Sequence, residues 1–221
     1  MISNRLKSLV KYIDKKDYVI DIGCDHALLD IYLVKNNIIN KCIVSDVSPN
    51  ALKQGLENIK KYNLTEFIET RCGNGLEVLN ERDNINTIII SGMGTNTILD
   101  ILNNYYLIKI NKLVIQSNKD YYLLRKEIIK LGFIIDVEEV IEDNNKIYIN
   151  IVFIRGNVNY TEDELIYGTK DMINKELYYK YLIDKKEKIL NNINDNKLKK
   201  DLLNEINYIK EKCWNIHFFL L

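Results

Sequence analysis

The stretch Tyr18-Val19-Ile20-Asp21-Ile22-Gly23-Cys24-Asp25-His26-Ala27 decides the fold. Its apolar first half suits a strand buried on both faces, and Gly23 allows the tight turn that must follow. Asp21 then stands at the carboxyl end of that strand, beside the crevice where open α/β sheets bind ligands. A phosphate site would favour several glycines and exposed N–H groups. This loop has one glycine, with further carboxylates at Asp25 and Asp30, so it suits a cationic amino-acid moiety better. The plainer alternative is an ordinary strand-to-helix turn capped by an Asp.

Outward from this stretch, short apolar runs alternate with amphipathic segments from Tyr18 to Ile154. The runs are Tyr18–Ile22, Cys42–Asp46, Ile68–Cys72, Thr87–Ser91 and Leu113–Gln116, the pattern of a parallel sheet with crossover helices. Ser48-Pro49 is a helix start: a hydroxyl cap, then a proline where no N–H is needed. The helix from Pro49 to Tyr62 puts Leu52, Leu56 and Ile59 on one face. A further helix is expected over Asp120–Leu131, ended by Gly132. Phe133–Ile141 and Lys146–Ile154, joined by Glu142-Asp143-Asn144-Asn145, predict a β-hairpin rather than another strand–helix unit.

From Thr161 the texture changes. Thr161 and Glu164 form a capping box, and strand-poor, charged sequence runs on to Cys213. Leu202, Ile206, Ile209 and Cys213 follow heptad spacing, and Ile166, Ile173, Leu177, Leu182, Ile189 and Ile193 are expected to face them. With a reversal at Asn191–Asn196, this predicts an antiparallel, coiled-coil-like helical hairpin. The expected division is a domain at 1–156 and a helical hairpin domain at 157–221. His217, in the apolar tail Trp214–Leu221, is expected to be structural.

Three further places bear on ligand binding. Asp46 lies 46 − 21 = 25 residues beyond Asp21 and closes the second run, where a carboxylate can accept both hydroxyls of a ribose. Gly73-Asn74-Gly75 leaves room for a flat ring, with the Asn74 amide free to bond a purine edge. Ser91-Gly92-Met93-Gly94 follows the fourth run, at the expected mouth of the site. It lacks the Asn/Asp-Pro-Pro-aromatic tetrad that grips exocyclic amines. A ring nitrogen already presents its lone pair in plane and needs positioning and desolvation rather than a base.

The chain has 221 residues, 47% hydrophobic and 28% charged, which describes a globular protein rather than a disordered one. No apolar run reaches the roughly 20 residues that span a bilayer, and Met1–Val10 lacks a signal peptide's apolar stretch, so the cytoplasm is the expected location. Formal net charge is +0, so a nucleic-acid surface would have to be local. Lys170 to Lys212 holds 11 Lys against 8 Asp or Glu, an excess of 11 − 8 = +3. Cys24, Cys42, Cys72 and Cys213 have no CxxC spacing; with two histidines, no metal site is expected, and the thiols are read as reduced and mostly buried.

Five strand–helix units closed by a hairpin resemble the class I methyltransferase sheet. More specifically, DIGCDHALL (residues 21–29), the strand end VSD, GNGLEVL, IIISGMG and LVIQSN resemble, in this order, the bacterial tRNA (adenine(22)-N1)-methyltransferases. The resemblance covers nearly the whole chain. It implies a Rossmann-like class I fold, S-adenosylmethionine as cofactor, tRNA as partner, and methylation of adenine N1. It maps Asp21, Gly23, Cys24, Asp25, His26, Asp46, Val47, Asn74, Gly75, Ser91, Gly92 and Met93 to the cofactor cleft. Candidates for contact with the reacting base are Asp25, His26, Asp30, Ser91, Gly92, Met93 and Gly94. The chain departs from the family at Leu28-Leu29-Asp30, where a tyrosine then a proline are usual, and at Asn74, Thr95 and Ser117.

Three other functions remain open on the sequence: a methyltransferase acting on protein or a small molecule, an NAD-dependent oxidoreductase, and a non-catalytic RNA-binding protein. The oxidoreductase is disfavoured because Asp25 and Ala27 stand where GxGxxG requires glycines. Oligomeric state is not legible, and a monomer is compatible with the sequence.

Overall fold

The computed structural model describes residues 2–219, with side chains through Cys213. Its centre is a seven-stranded sheet: β1 (Val19–Ile22), β2 (Cys42–Asp46), β3 (Ile68–Cys72), β4 (Thr87–Met93), β5 (Lys112–Ser117), β6 (Phe133–Asp143) and β7 (Lys146–Arg155). The spatial order is β3-β2-β1-β4-β5-β7-β6, parallel except for β7, which runs antiparallel to both β5 and β6. The hairpin expected after the fifth strand therefore exists, with β7 inserted between β5 and β6. Its turn is tighter than the four-residue link read from the sequence. Asn144 and Asn145 both take positive φ, the backbone of a two-residue hairpin turn, so Glu142 and Asp143 stay in the strand.

The sheet order reverses between β1 and β4, and the chain crosses it by α2 (Leu28–Lys35), α3 (Pro49–Lys61), α4 (Thr95–Leu102) and α5 (Tyr121–Lys130). Strand periodicity divides the core in two. Ile20, Ile88, Ile90, Leu113 and Ile115 face the layer containing α4 and α5, while Val19, Val44, Ile89 and Val114 face α2 and α3. The N-cap foreseen at Ser48 forms, its hydroxyl accepting from Ala51 N at 3.3 Å, with Pro49 in the first turn. A short helix, α1 (Asn4–Lys7), precedes β1.

The tail forms α6 (Glu162–Tyr167), α7 (Lys175–Leu190) and α8 (Asn196–Phe219), and the Thr161–Glu164 capping box is present. Helices α7 and α8 form the expected hairpin, with cross-helix pairs Lys186–Glu205 and Glu187–Lys210. Ile206 and Ile209 are buried as the heptad required; of the expected stripe, Leu177 and Leu182 are half-buried against the core, but elsewhere it differs. Ile166, Ile173 and Ile189 are exposed, and α7 buries Tyr178 and Tyr179 instead. The reason is that Ile166 and Ile173 precede α7, so a helical period counted through Gly168 has no meaning. The side chain of His217 lies outside the described residues.

Segment 161–173 is fixed to the sheet by a buried ion pair. Arg125 Nε of α5 meets Glu138 Oε1 of β6 at 2.6 Å, both side chains wholly buried. Arg125 Nη1 donates to Leu165 O at 2.9 Å, and Glu138 Oε2 accepts from Thr169 N at 2.7 Å. The cysteines are free. Cys24 and Cys42 are buried, but Cys72 is exposed and Cys213 half-buried, fewer buried thiols than expected.

Candidate active site

The carboxyl ends of β1, β2 and β4 meet around two adjoining cavities of about 310 and 360 Å3, which share Gly23, Asp46 and Met93. One runs from Asp21 and Asp25 past Ser91 and Gly92 to Arg5 of α1. The other is lined by Val47, Asn74, Gly75, Thr97, Asp100 and Ile101. Together they make an elongated cleft along the strand ends, at the switch in strand order.

Backbone geometry keeps this cleft open. Gly23 has φ +76°, and a Cβ there would collide with Met93 Cε. Asp46 organises the turn after β2: Oδ1 accepts from Ser48 N at 2.8 Å and Oδ2 from Asp25 N at 3.4 Å. Each oxygen retains lone pairs toward the cleft. Gly92 has φ +81° at a bulge that shifts the register between β4 and β5 from Ser91 to Met93. Asn118 holds that bulge, its backbone N–H donating to Met93 O at 2.9 Å and its side-chain Nδ2 to Gly92 O at 2.6 Å.

Of the residues expected here, Asp21, Gly23, Cys24, Asp25, His26, Asp46, Val47, Asn74, Gly75, Ser91, Gly92 and Met93 all line the cleft. Two candidates do not. Gly94 caps α4, next to Lys119 Cε. Asp30 is fully buried on α2 and lines neither cavity. Residue spacing put Asp30 near the loop but could not say that the helix turns it inward. His26 pairs with Asp25 at 3.5 Å, with His26 half-buried and Asp25 exposed.

The methyltransferase-domain family matches residues 2–151 of the chain. The chain is 29% identical over 149 residues to the tRNA (adenine(22)-N(1))-methyltransferase of Bacillus subtilis, a match spanning 66% of this chain and 62% of that enzyme. It superposes on M. capricolum TrmK, solved with S-adenosylhomocysteine, with a TM-score of 0.84 and 34% identity over 96% of this chain and 98% of that one. The chain belongs to the TrmK family of methyltransferases. A Streptococcus agalactiae protein described as a member of the NADB-Rossmann superfamily is equally similar in fold, with a TM-score of 0.86 and 32% identity over 96% of both chains.

In this TrmK family member the buried acids beneath the first loop form a pair. No ordinary donor reaches either oxygen of Asp30; its polar neighbours are the Asp21 carboxyl and the Cys42 thiol. Burial, then the charge of Asp30, hold Asp21 well above the usual carboxylate range, and burial pushes Asp30 up to about 6. Both carboxyls therefore keep their protons to higher pH than free carboxyls do. Burial, followed by the same carboxylates, also raises the Cys24 and Cys42 thiols, so neither is a nucleophile.

A stability slope follows from this pair. As pH rises from about 4, the unfolded chain releases protons that the folded pair retains, so the folded state binds more protons and loses stability. The loss from Asp30 continues until pH passes its folded value of about 6. Asp30→Asn is expected to flatten this part of the profile in melts recorded from pH 4 to 7. A slope identical to wild type would disprove that burial holds a proton on Asp30.

Sequence reading missed Arg5, Gln116 and Asn150. Arg5 carried no local signal, because only the fold brings α1 to the cleft. Gln116 and Asn150 did carry one: each is a lone amide inside an apolar strand run, and each is completely buried. Buried amides require partners, so each implied a polar contact across the sheet.

Proposed function

We propose that the chain is an S-adenosylmethionine-dependent methyltransferase that modifies N1 of an adenine in tRNA, at the position equivalent to 22, in the cytoplasm. The observation that carries this reading is the two-part cleft joined at Gly23, Asp46 and Met93. A nucleoside fits one arm and an amino acid the other, with the Asp46 carboxylate at the junction where ribose hydroxyls need an acceptor. The cradle at Gly23 fits this group, since a Cβ would narrow it, and Asp21 opens onto the same cavity as a hydrogen-bonding partner.

In this reading Asn74 and Val47 border the adenine, Asp46 holds the ribose, and Asp21 with the loop from Gly23 to His26 holds the methionine end. When bound, S-adenosylmethionine supplies a methyl group on a cationic sulfur, which leaves as a neutral thioether and requires no acid. The chain's own work is to position the target base. Ser91, Gly92 and Met93 form the wall against which a planar ring lies, and the bulge held by Asn118 fixes that wall. Adenine N1 has an in-plane lone pair, so no residue need remove a proton before transfer. The adduct is cationic, and Asp25 is the acid lining this arm that is exposed enough to face it. Asp30 is too deeply buried for that role. Similarity to the B. subtilis tRNA (adenine(22)-N(1))-methyltransferase and to M. capricolum TrmK supports tRNA as substrate and N1 as the atom.

The deciding experiment is incubation with unmodified tRNA and labelled S-adenosylmethionine, followed by nucleoside analysis; 1-methyladenosine is the expected product. N6-methyladenosine alone, with rearrangement excluded, would reject the reading. Asp46→Ala is expected to weaken S-adenosylmethionine binding by about 1.5–3 kcal/mol, the scale of a lost hydrogen bond to a charged group, while the protein stays folded. Calorimetry giving unchanged affinity would defeat the ribose assignment.

A further inference from the structure

Arg5 sits at the cleft with a charge that no carboxylate neutralises. Among the described residues its guanidinium makes no ion pair, although Asp143 is close enough to accept from the Arg5 backbone N–H at 3.4 Å. Its one side-chain hydrogen bond goes to a neutral acceptor, Nη1 donating to Gln116 Oε1 at 2.8 Å. That acceptor belongs to a closed ring of bonds. Gln116 Nε2 donates to Asn150 Oδ1, Asn150 Nδ2 to Ser8 Oγ at 2.8 Å, and Ser8 Oγ to Arg5 O at 2.6 Å. Two completely buried amides are thus used to orient a guanidinium without cancelling its charge. An arginine needed only for packing would be better served by a carboxylate, because charged pairs bind more strongly than neutral acceptors.

Strand order says which ligand meets it. In the reading above the cofactor is held from the loops after β1, β2 and β3, with Gly23 and Met93 at the junction, while Ser91 and Gly92 of β4 face the base. The partners of Arg5 lie toward the other side: Gly92 near the end of β4, Gln116 on β5 and Tyr148 on β7. A Cβ on Gly92 would stand 3.4 Å from Nη1, and the guanidinium carbon is 5.5 Å from the Tyr148 ring centroid. This is the side from which a base must approach. The base itself becomes cationic on N1 methylation, so a guanidinium is ill suited to its reacting edge. The anion available on that side is the nucleic-acid backbone.

We infer that Arg5, oriented by Gln116, Asn150 and Ser8, binds a phosphate of the RNA strand that delivers the target base. This rests on the tRNA reading above. Four of the five guanidinium N–H groups remain for a phosphate, and the Tyr148 ring lies within cation–π range of the guanidinium.

The test uses the full chain with an unmodified tRNA transcript and with S-adenosylmethionine, measured separately. Arg5→Met is expected to weaken tRNA binding by about tenfold or more and to reduce the salt slope of log K by about one. S-adenosylmethionine affinity and the melting temperature should hardly move. Arg5→Lys should restore the salt slope and part of the affinity, which a purely packing role would not do. Loss of S-adenosylmethionine affinity with unchanged tRNA binding would overturn the inference, placing the guanidinium on the cofactor's carboxylate. A tRNA salt slope equal to wild type in Arg5→Met would overturn it as well. Wild-type protein that binds S-adenosylmethionine but neither binds nor methylates tRNA would instead bring down the functional reading, and this inference with it.

Discussion

Gly92→Val is expected to lower kcat/KM for methyl transfer by about a hundredfold or more, the scale of an ångström's misplacement of reacting groups. Three features of the site produce this effect. Gly92 sits at φ +81°, a conformation that a β-branched residue resists strongly. It is also the bulged residue whose carbonyl receives the Asn118 side chain, so a change in its backbone shifts Ser91 and Met93 together. Finally, even a Cβ there reaches to 3.4 Å from the Arg5 guanidinium, and the two methyl groups of valine extend into the same space. Strand β4 is buried and anchored on both sides by parallel pairing, so the fold should survive. Neutralising an exposed carboxylate away from the cleft, such as Glu142, should leave kcat/KM nearly unchanged. Steady-state kinetics on tRNA, with S-adenosylmethionine binding measured alongside, separates these effects. Near-wild-type turnover by Gly92→Val would mean that the wall formed by Ser91, Gly92 and Met93 does not position the base.

The largest effect on stability should come from Glu138→Ala, which strands Arg125 as an uncompensated buried charge. Breaking a buried pair in this way costs about 3–5 kcal/mol. At roughly 2–4 °C per kcal/mol for a chain of this size, the melting temperature should fall by about 6–20 °C. The same substitution removes the acceptor of Thr169 N and loosens the segment that follows α6. Changing both residues to methionine should recover much of the loss, because apolar replacements no longer leave a charge in the core. A single substitution costing less than about 1 kcal/mol, the range of an exposed pair, would show that water reaches this pair in solution.

How much of this was visible in the sequence depended on the range of the interaction. The runs of β1, β2, β4 and β5 show as continuous apolar stretches because strands buried on both faces need them, whereas β3, at the sheet edge, buries only Ile68 and reads less clearly. Ser48-Pro49 and the Thr161–Glu164 box are equally local, since a cap satisfies N–H groups two or three residues away. The loop from Asp21 to Asp25, Asp46, Asn74 and Gly92 could be assigned to a cleft because a parallel sheet puts every strand's carboxyl end on one edge. Topology alone brings them together, and all of them line the cavities.

The sequence by itself therefore determined the sheet, its closing hairpin, the helical tail and the residues along the strand ends. Tertiary structure decided the rest, where two distant segments meet. Spacing could not show that Asp30 turns inward beneath the first loop, nor that α7 buries Tyr178 and Tyr179 while the isoleucines before it stay exposed. Nor could it show that Arg5 reaches Gln116 across 111 residues of chain, or that Arg125 and Glu138 fix the tail to the sheet. A side chain's own sequence neighbourhood sets its backbone and its face. Whether a charge on that face meets water, a partner or a ligand is set by whatever the rest of the chain packs against it.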